Sequence, residues 1–168
     1  MPEQNSLRGG VAITRSVNVR VRISTTFSAP ADHVWALVKR NSTLLFVCGG
    51  LLGFAGAKLF PQQWCEGNKE NTRLLFFGFI PAWQHTLYFQ EVSDRNRVLR
   101  TEEGGGLISA WNHFIQVSPC EKQTCTYVDD VEIRAGVFTV LMWLYAHIFY
   151  RYRQLRWRVL LRNFTHHA

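Results

Sequence analysis

Gly136 to Phe164 reads GVFTVLMWLYAHIFYRYRQLRWRVLLRNF, and the folding of this stretch decides how the rest of the chain is arranged. Leu141, Leu144, Ile148, Tyr152, Leu155 and Val159 recur at helical spacing. That spacing predicts one long helix with an apolar side along its whole length. Its most apolar part, Val137 to Tyr150, runs about fourteen residues, short of the roughly twenty that a spanning helix needs. The other apolar stretch, Leu44 to Phe60, is broken by Gly49, Gly50, Gly53, Gly56 and Lys58. Both predict short buried helix and loop, not membrane spans. A helix this long needs something to wrap around its apolar side, and the segment before it supplies strands.

Val17, Val19, Val21, Ile23, Thr25 and Phe27 alternate with Asn18, Arg20, Arg22, Ser24 and Thr26, the period of a strand with one buried and one wet face. At Ser28-Ala29-Pro30-Ala31-Asp32 the period changes. Pro30 suits the first turn of a helix, with Ser28 or Ala29 near its cap. Val34, Trp35, Leu37 and Val38 form that helix's apolar stripe, and a second short helix is expected over 42–47. The glycine-rich run Gly49 to Gly56 predicts a loop or a close backbone approach. Strands are expected near 61–66, 71–79, 83–92, 96–103, 107–118 and 123–134, bounded by turns such as Glu66-Gly67-Asn68, Ser93-Asp94-Arg95-Asn96 and Gly104-Gly105-Gly106. Connections this short imply antiparallel pairing, since parallel strands need long crossovers. The order is strand, two short helices, six strands, long helix. This is an α+β architecture in which a curved antiparallel sheet of about seven strands must curl round the C-terminal helix. A cavity between sheet and helix follows, because the tapering ends are not all filled by side chains.

Composition agrees. The chain has 168 residues, 47% hydrophobic and 14% aromatic, with six Trp, twelve Phe and five Tyr. Such content excludes disorder and suits both a core and the lining of an apolar cavity. Residues 1–16 are polar and glycine-containing and are expected to form a mobile tail, leaving 17–168 as one domain. MPEQNSLRGG has no apolar run, so no secretory signal is expected. Cys48, Cys65, Cys120 and Cys125 match no zinc spacing, and reduced thiols in a cytoplasmic protein are the default. The formal net charge is +7. Arg151, Arg153, Arg156, Arg158 and Arg162 cluster near the C-terminus, which reads as a solvated helix face or as an attractor of nucleic acid or anionic membrane.

Three segments carry a family resemblance. Phe27-Ser-Ala-Pro-Ala-Asp-His-Val-Trp35, Gly106-Leu-Ile-Ser-Ala-Trp111-Asn-His113 and Asp129-Asp-Val131-Glu-Ile133 occur in the order seen in START-like, or polyketide cyclase (SRPBCC), helix-grip proteins. The last two resemble segments of an uncharacterised bacterial branch, with Ile133 standing where that branch has an aromatic residue. The resemblance covers about residues 17 to 164. It implies a helix-grip fold and a ligand-binding or cyclase-like module, and it names no ligand.

If the last two strands turn at Pro119–Lys122, His113 is expected opposite Asp129 and Trp111 opposite Val131. Trp111, His113, Ile115 and Val117 then share a face with Cys125, Tyr127, Asp129, Val131 and Ile133. That face is apolar apart from His113 and Asp129, whose facing carboxylate and imidazole form either a self-satisfying buried pair or an acid–base dyad. Trp83, His85, Leu87 and Phe89 alternate on another strand, which brings His85 to the same cavity. No close-spaced ligand motif supports a metal, no cofactor is implied, and neither a phosphate loop nor a nucleophile elbow occurs.

The reading is a binder of a small hydrophobic or amphipathic ligand. Trp83, His85, Phe89, Trp111, Ile115, Tyr127 and Val131 from the sheet, with Trp143, Leu144 and Ile148 from the helix, form its walls. His113 and Asp129 form its polar anchor. Two alternatives stand beside it. One is a cyclase- or dehydratase-like enzyme with His113 as general base and Asp129 as its orienter. The other is an interaction protein working through the basic helix at a membrane surface or nucleic acid. Nucleic acid is not expected, because the aromatics alternate inward instead of forming a stacking surface. The arginines fall at mixed helical angles, which weakens the basic-helix alternative, while peripheral membrane contact stays open. Oligomeric state is not legible.

Overall fold

The computed structural model describes residues 18–165, with side chains described through Arg162; the tail expected over 1–16 and the strand start at Val17 lie outside the described residues. The elements in chain order are β1 Val19–Phe27, α1 Ala31–Val38, α2 Asn41–Cys48, β2 Leu52–Phe54, β3 Lys69–Phe76, β4 Ile80–Ser93, β5 Val98–Gly104, β6 Ala110–Glu121, β7 Thr124–Arg134 and α3 Thr139–Thr165. A single 3₁₀ turn, Gly136–Phe138, leads into α3. The strands make one antiparallel sheet in the order β1-β7-β6-β5-β4-β3-β2, so only the β1–β7 pairing joins elements far apart in the chain. This is the helix-grip arrangement, with the long helix on the concave face and α1 and α2 at one end.

Curvature comes from bulges. The pairing shifts between Arg73 and Leu75, between Phe89 and Glu91, and between Pro119 and Glu121, and each extra residue bends and twists its strand. The helix lies toward one side of the trough, against β1, β7 and α2. Under the β3–β5 side the trough therefore stays open.

Three expectations are corrected. Residues 61–66 form no strand: they contribute one isolated bridge, Gln63 to Arg40, and Pro61 has no N–H to offer a ladder. The seventh strand is instead β2, inside the glycine run. Gly53 belongs there because a Cβ would meet the Cα of Gly78 at 3.0 Å, a close approach to the β3–β4 turn. Pro30 is the residue flanking α1, not within its first turn; its carbonyl accepts from Val34 N at 3.1 Å, and no side chain caps the helix.

The third correction is the register of β6 and β7. The turn falls at Lys122-Gln123, with Glu121 paired to Thr124. His113 faces Val131, Ile115 faces Asp129 and Trp111 faces Ile133, each two residues away from the expected partner. A shift of two keeps every side chain on its expected face, whereas a shift of one would have turned His113 and Asp129 to the convex side.

Candidate functional site

Between α3 and strands β3–β6 lies a cavity of about 290 Å³, near the lower end of ordinary ligand pockets. Its walls are mostly apolar: Leu74, Leu87, Phe89, Leu99 and Ile115 from the sheet, Met142 and Phe149 from the helix. Trp64 stacks on Phe89 at 4.4 Å and closes one end. Trp83 is held by the β5–β6 turn. Gly106 adopts φ +55°, and a Cβ there would lie 2.2 Å from the Trp83 ring, so only glycine lets the turn press against the indole.

Across this apolar wall runs a belt of polar side chains, drawn from four adjacent strands and from the helix. On β4, His85 Nε2 lies 3.2 Å from Glu103 Oε2 on β5. Glu103 also accepts from Thr101 Oγ1 at 2.5 Å, and Thr101 pairs in register with His113 on β6. His113 Nε2 is 2.8 Å from Asp129 Oδ1 on β7, which accepts from Tyr127 OH at 3.0 Å as well. Diagonal neighbours across a hairpin lie within reach of long side chains, so the His113–Asp129 contact survives the two-residue shift in register. From α3, Arg153 brings Nη2 to 3.7 Å from the same Asp129 oxygen, with its guanidinium over the Tyr150 ring at 5.1 Å. Tyr150 OH in turn accepts from Trp111 Nε1 at 2.9 Å.

The belt is charged. Burial pushes the Asp129 carboxyl upward, but the Arg153 charge and the bonds from His113 and Tyr127 outweigh it and hold the group below the usual carboxylate range. Burial acts on Glu103 in the same sense, and there His85, the charge of His113 and the Thr101 bond prevail, so its pKa is lowered too. Tyr127 and Tyr150 are driven well above the ordinary phenol value, chiefly by burial, and stay protonated. Arg153 is also buried, yet Asp129 and its neighbours keep it cationic. Two carboxylates, one guanidinium and two imidazoles thus share a nearly dry site.

The expected site residues divide into three groups. Trp83, His85, Phe89, Trp111, His113 and Ile115 line the cavity. Tyr127, Asp129 and Val131 are fully buried behind that wall, with Tyr127 packed on Trp157 at 5.2 Å; Asp129 touches the site through His113 and Arg153. Trp143, Leu144 and Ile148 lie outside it. Ile148 is 61% exposed and Leu144 54%, because the helix turns a different stripe inward: Ala146, Phe149, Tyr150, Arg153, Trp157 and Leu161. That stripe carries polar groups that the sheet can meet, Tyr150 through Trp111 and Arg153 through Asp129. The aliphatic stripe carries none, and its burial would leave those partners unmet. Sequence reasoning misses Glu103 and Arg153. Glu103 has a signal in the strand alternation Leu99, Thr101, Glu103, whereas Arg153 is hidden among five arginines that read as one cluster.

His85, His113 and Asp129 do not converge as a ligand set, since His85 turns to Glu103. Among the described residues no group of three His, Cys, Asp or Glu side chains is placed to hold a metal ion, and no helix is long and apolar enough to cross a membrane.

No family model matches the chain, and no curated protein sequence does. Solved structures do. Norcoclaurine synthase from Thalictrum flavum, in complex with dopamine and hydroxybenzaldehyde, is 16% identical, covering 92% of this chain and 96% of that one with a TM-score of 0.56. A protein of Chromobacterium violaceum is 10% identical over 84% of this chain and 96% of its own, with a TM-score of 0.65. One of Mycobacterium smegmatis is 12% identical over 84% and 90%, with a TM-score of 0.62. These likenesses show the fold, a helix grip in which a curved antiparallel sheet holds a long C-terminal helix. At such identities the fold is what is shared.

Proposed function

We propose that the protein binds a small, mainly apolar molecule between sheet and helix, with the molecule's polar end set against the belt. The observation carrying this reading is an aromatic-walled cavity whose polar residues are not used up by one another. Trp83 Nε1, Tyr145 OH and Arg153 Nε are buried without a protein partner, and all three residues belong to the wall. A buried donor left unmet costs about 1–3 kcal/mol. A ligand that brings acceptor oxygens to any of these groups, after small side-chain adjustments, recovers part of that cost. The matching class is therefore an apolar or amphipathic molecule bearing carbonyl, carboxylate or sulfonate oxygens. The bound dopamine and hydroxybenzaldehyde of the Thalictrum protein support small aromatic molecules as a size class for such a trough. All four cysteines are free, which supports a reducing, cytoplasmic setting.

The test uses 1-anilinonaphthalene-8-sulfonate, whose ring and sulfonate match the two halves of the site. Saturable fluorescence enhancement is expected, abolished by Ile115→Phe, which adds a ring at the cavity wall, and weakened by Arg153→Met. Native circular dichroism in Ile115→Phe with unchanged dye binding would show that the dye sits elsewhere and sink the reading.

A second reading draws on the two imidazole–carboxylate pairs. His113 with Asp129 and His85 with Glu103 have the composition of acid–base dyads, and both histidines line the cavity. Cyclase- or dehydratase-like proton transfer is then the chemistry, with His113 as base and Asp129 as orienter. On that reading His113→Gln removes turnover of a polyketone substrate and leaves dye affinity within about twofold; loss of both together points to a purely structural pair.

A further inference from the structure

The outer face of α3 is apolar where it meets the cavity end and basic beyond it. Leu141, Leu144, Ile148, Leu155 and Val159 lie within one stripe by helical spacing and all are exposed; Val137, in the 3₁₀ turn that leads into the helix, is 92% exposed. The five arginines split by angle. Arg153 is buried against Asp129, and Arg156 donates to the Phe46 carbonyl at 3.1 Å. Arg151, Arg158 and Arg162 are exposed and fall on the same outer face as the aliphatic stripe. The mixed angles that weakened a basic-face reading thus resolve into two inward and three outward arginines. No residue of Thr139–Thr165 is acidic.

A second apolar projection stands beside this face. The β3–β4 turn presents Phe77-Gly78-Phe79, with Phe79 72% exposed. Phe77 holds φ 55°, a left-handed conformation that favours glycine or asparagine in such turns. The fold thus keeps a large ring where a small polar residue would be easier to accommodate. Phe76, at the base of this turn, has its ring 6.4 Å from Tyr145 of α3, so the turn and the helix's N-terminal half flank one end of the cavity. Leu141 belongs to both, lining the cavity and being 57% exposed.

We infer that this surface docks on an anionic lipid bilayer, with the aliphatic stripe and Phe79 entering the headgroup region and Arg151, Arg158 and Arg162 meeting lipid phosphates. A helix with an aliphatic face, flanking cations, a half-exposed Trp143 at its margin and no acidic residue has the composition of an interfacial helix. A second copy of the chain fits less well, since pairing two such faces would bring like charges together with no acidic partner on either helix. The docking is independent of the ligand reading, although it would turn one end of the cavity toward lipid.

Co-sedimentation with vesicles of phosphatidylcholine, with and without phosphatidylglycerol, tests this directly. The protein is expected to pellet with the phosphatidylglycerol vesicles, less as salt rises, and to stay in solution with phosphatidylcholine alone. Removing one exposed arginine should lower partitioning about fivefold, and the triple change Arg151→Gln, Arg158→Gln, Arg162→Gln by roughly a hundredfold. Leu144→Asp with Ile148→Asp should abolish binding even at low salt, while Ile115→Phe, which blocks the cavity, leaves it intact. Circular dichroism and melting temperature near wild type show that each variant is folded. Absence of the protein from phosphatidylglycerol pellets at low salt overturns the proposal. So does a solution dimer, seen by sedimentation equilibrium, that Ile148→Asp dissociates, for then a second copy covers the face.

Discussion

The two faces of α3 make opposite use of the same composition. Each carries large apolar residues along the helix, and each carries arginine. Inward, the large residues are mostly aromatic: Phe149, Tyr150 and Trp157 are buried together with Arg153 and Gln154. Among the side-chain polar atoms of these five, only Arg153 Nε and Trp157 Nε1 are buried without a partner. Outward, aliphatic side chains alternate with arginines, and both stay exposed. Hydrophobicity therefore did not choose the buried face. Polar complementarity to the sheet did, through Asp129 for Arg153, Trp111 for Tyr150 and the Ile23 carbonyl for Gln154.

The largest effect is expected at Trp157, which is 1% exposed and packs on Phe27 and Tyr127 at 6.0 and 5.2 Å. Trp157→Ala should cost about 3–5 kcal/mol of unfolding free energy, read as a fall in the urea midpoint. Arg153→Met comes next. It keeps much of the side chain's length but leaves Asp129 buried without its cation, a change worth about 3 kcal/mol in comparable buried pairs. Arg158→Met, on the other face, should change stability by less than about 0.5 kcal/mol. Equal effects from the two arginines would erase the distinction between the faces.

How much of this is legible in the sequence differs from residue to residue. Period-two alternation puts Trp111, His113 and Ile115 on the concave face, and the pairing error of two residues does no harm because faces repeat every second position. The same rule is available for Glu103, which stands in alternation with Leu99 and Thr101. Helix α3 is harder. A stripe of leucines and an isoleucine has the stronger apolar signal, and no local rule reveals that Arg153 has a carboxylate waiting 3.7 Å away on a strand twenty-four positions earlier. The inward face is set by long-range polar partners, and single-helix periodicity does not contain them.

Acid should separate the faces by a smaller amount. Asp129 and Glu103 have lowered pKa values in the folded protein, so their ionised forms favour folding. That contribution is fully present above the unfolded carboxylate range, about pH 4, and is lost as pH falls through their folded values. Chemical denaturation at a series of pH values should show a decline in stability below about pH 4. Asp129→Asn should flatten part of that slope, whereas substitutions at Arg151 or Arg158 should not.

The smallest effect is expected at Ile148, on the exposed aliphatic stripe of α3. Ile148 is 61% exposed, so Ile148→Ala removes little buried surface, and the predicted change in stability is within about 0.5 kcal/mol. At a buried isoleucine the same substitution would cost about 2–5 kcal/mol. A melt of Ile148→Ala beside one of Phe149→Ala, its inward neighbour at 3% exposure, therefore measures which way the helix faces. A large loss at Phe149 with almost none at Ile148 keeps aromatic rings over the belt and leaves the aliphatic stripe free for a surface outside the chain.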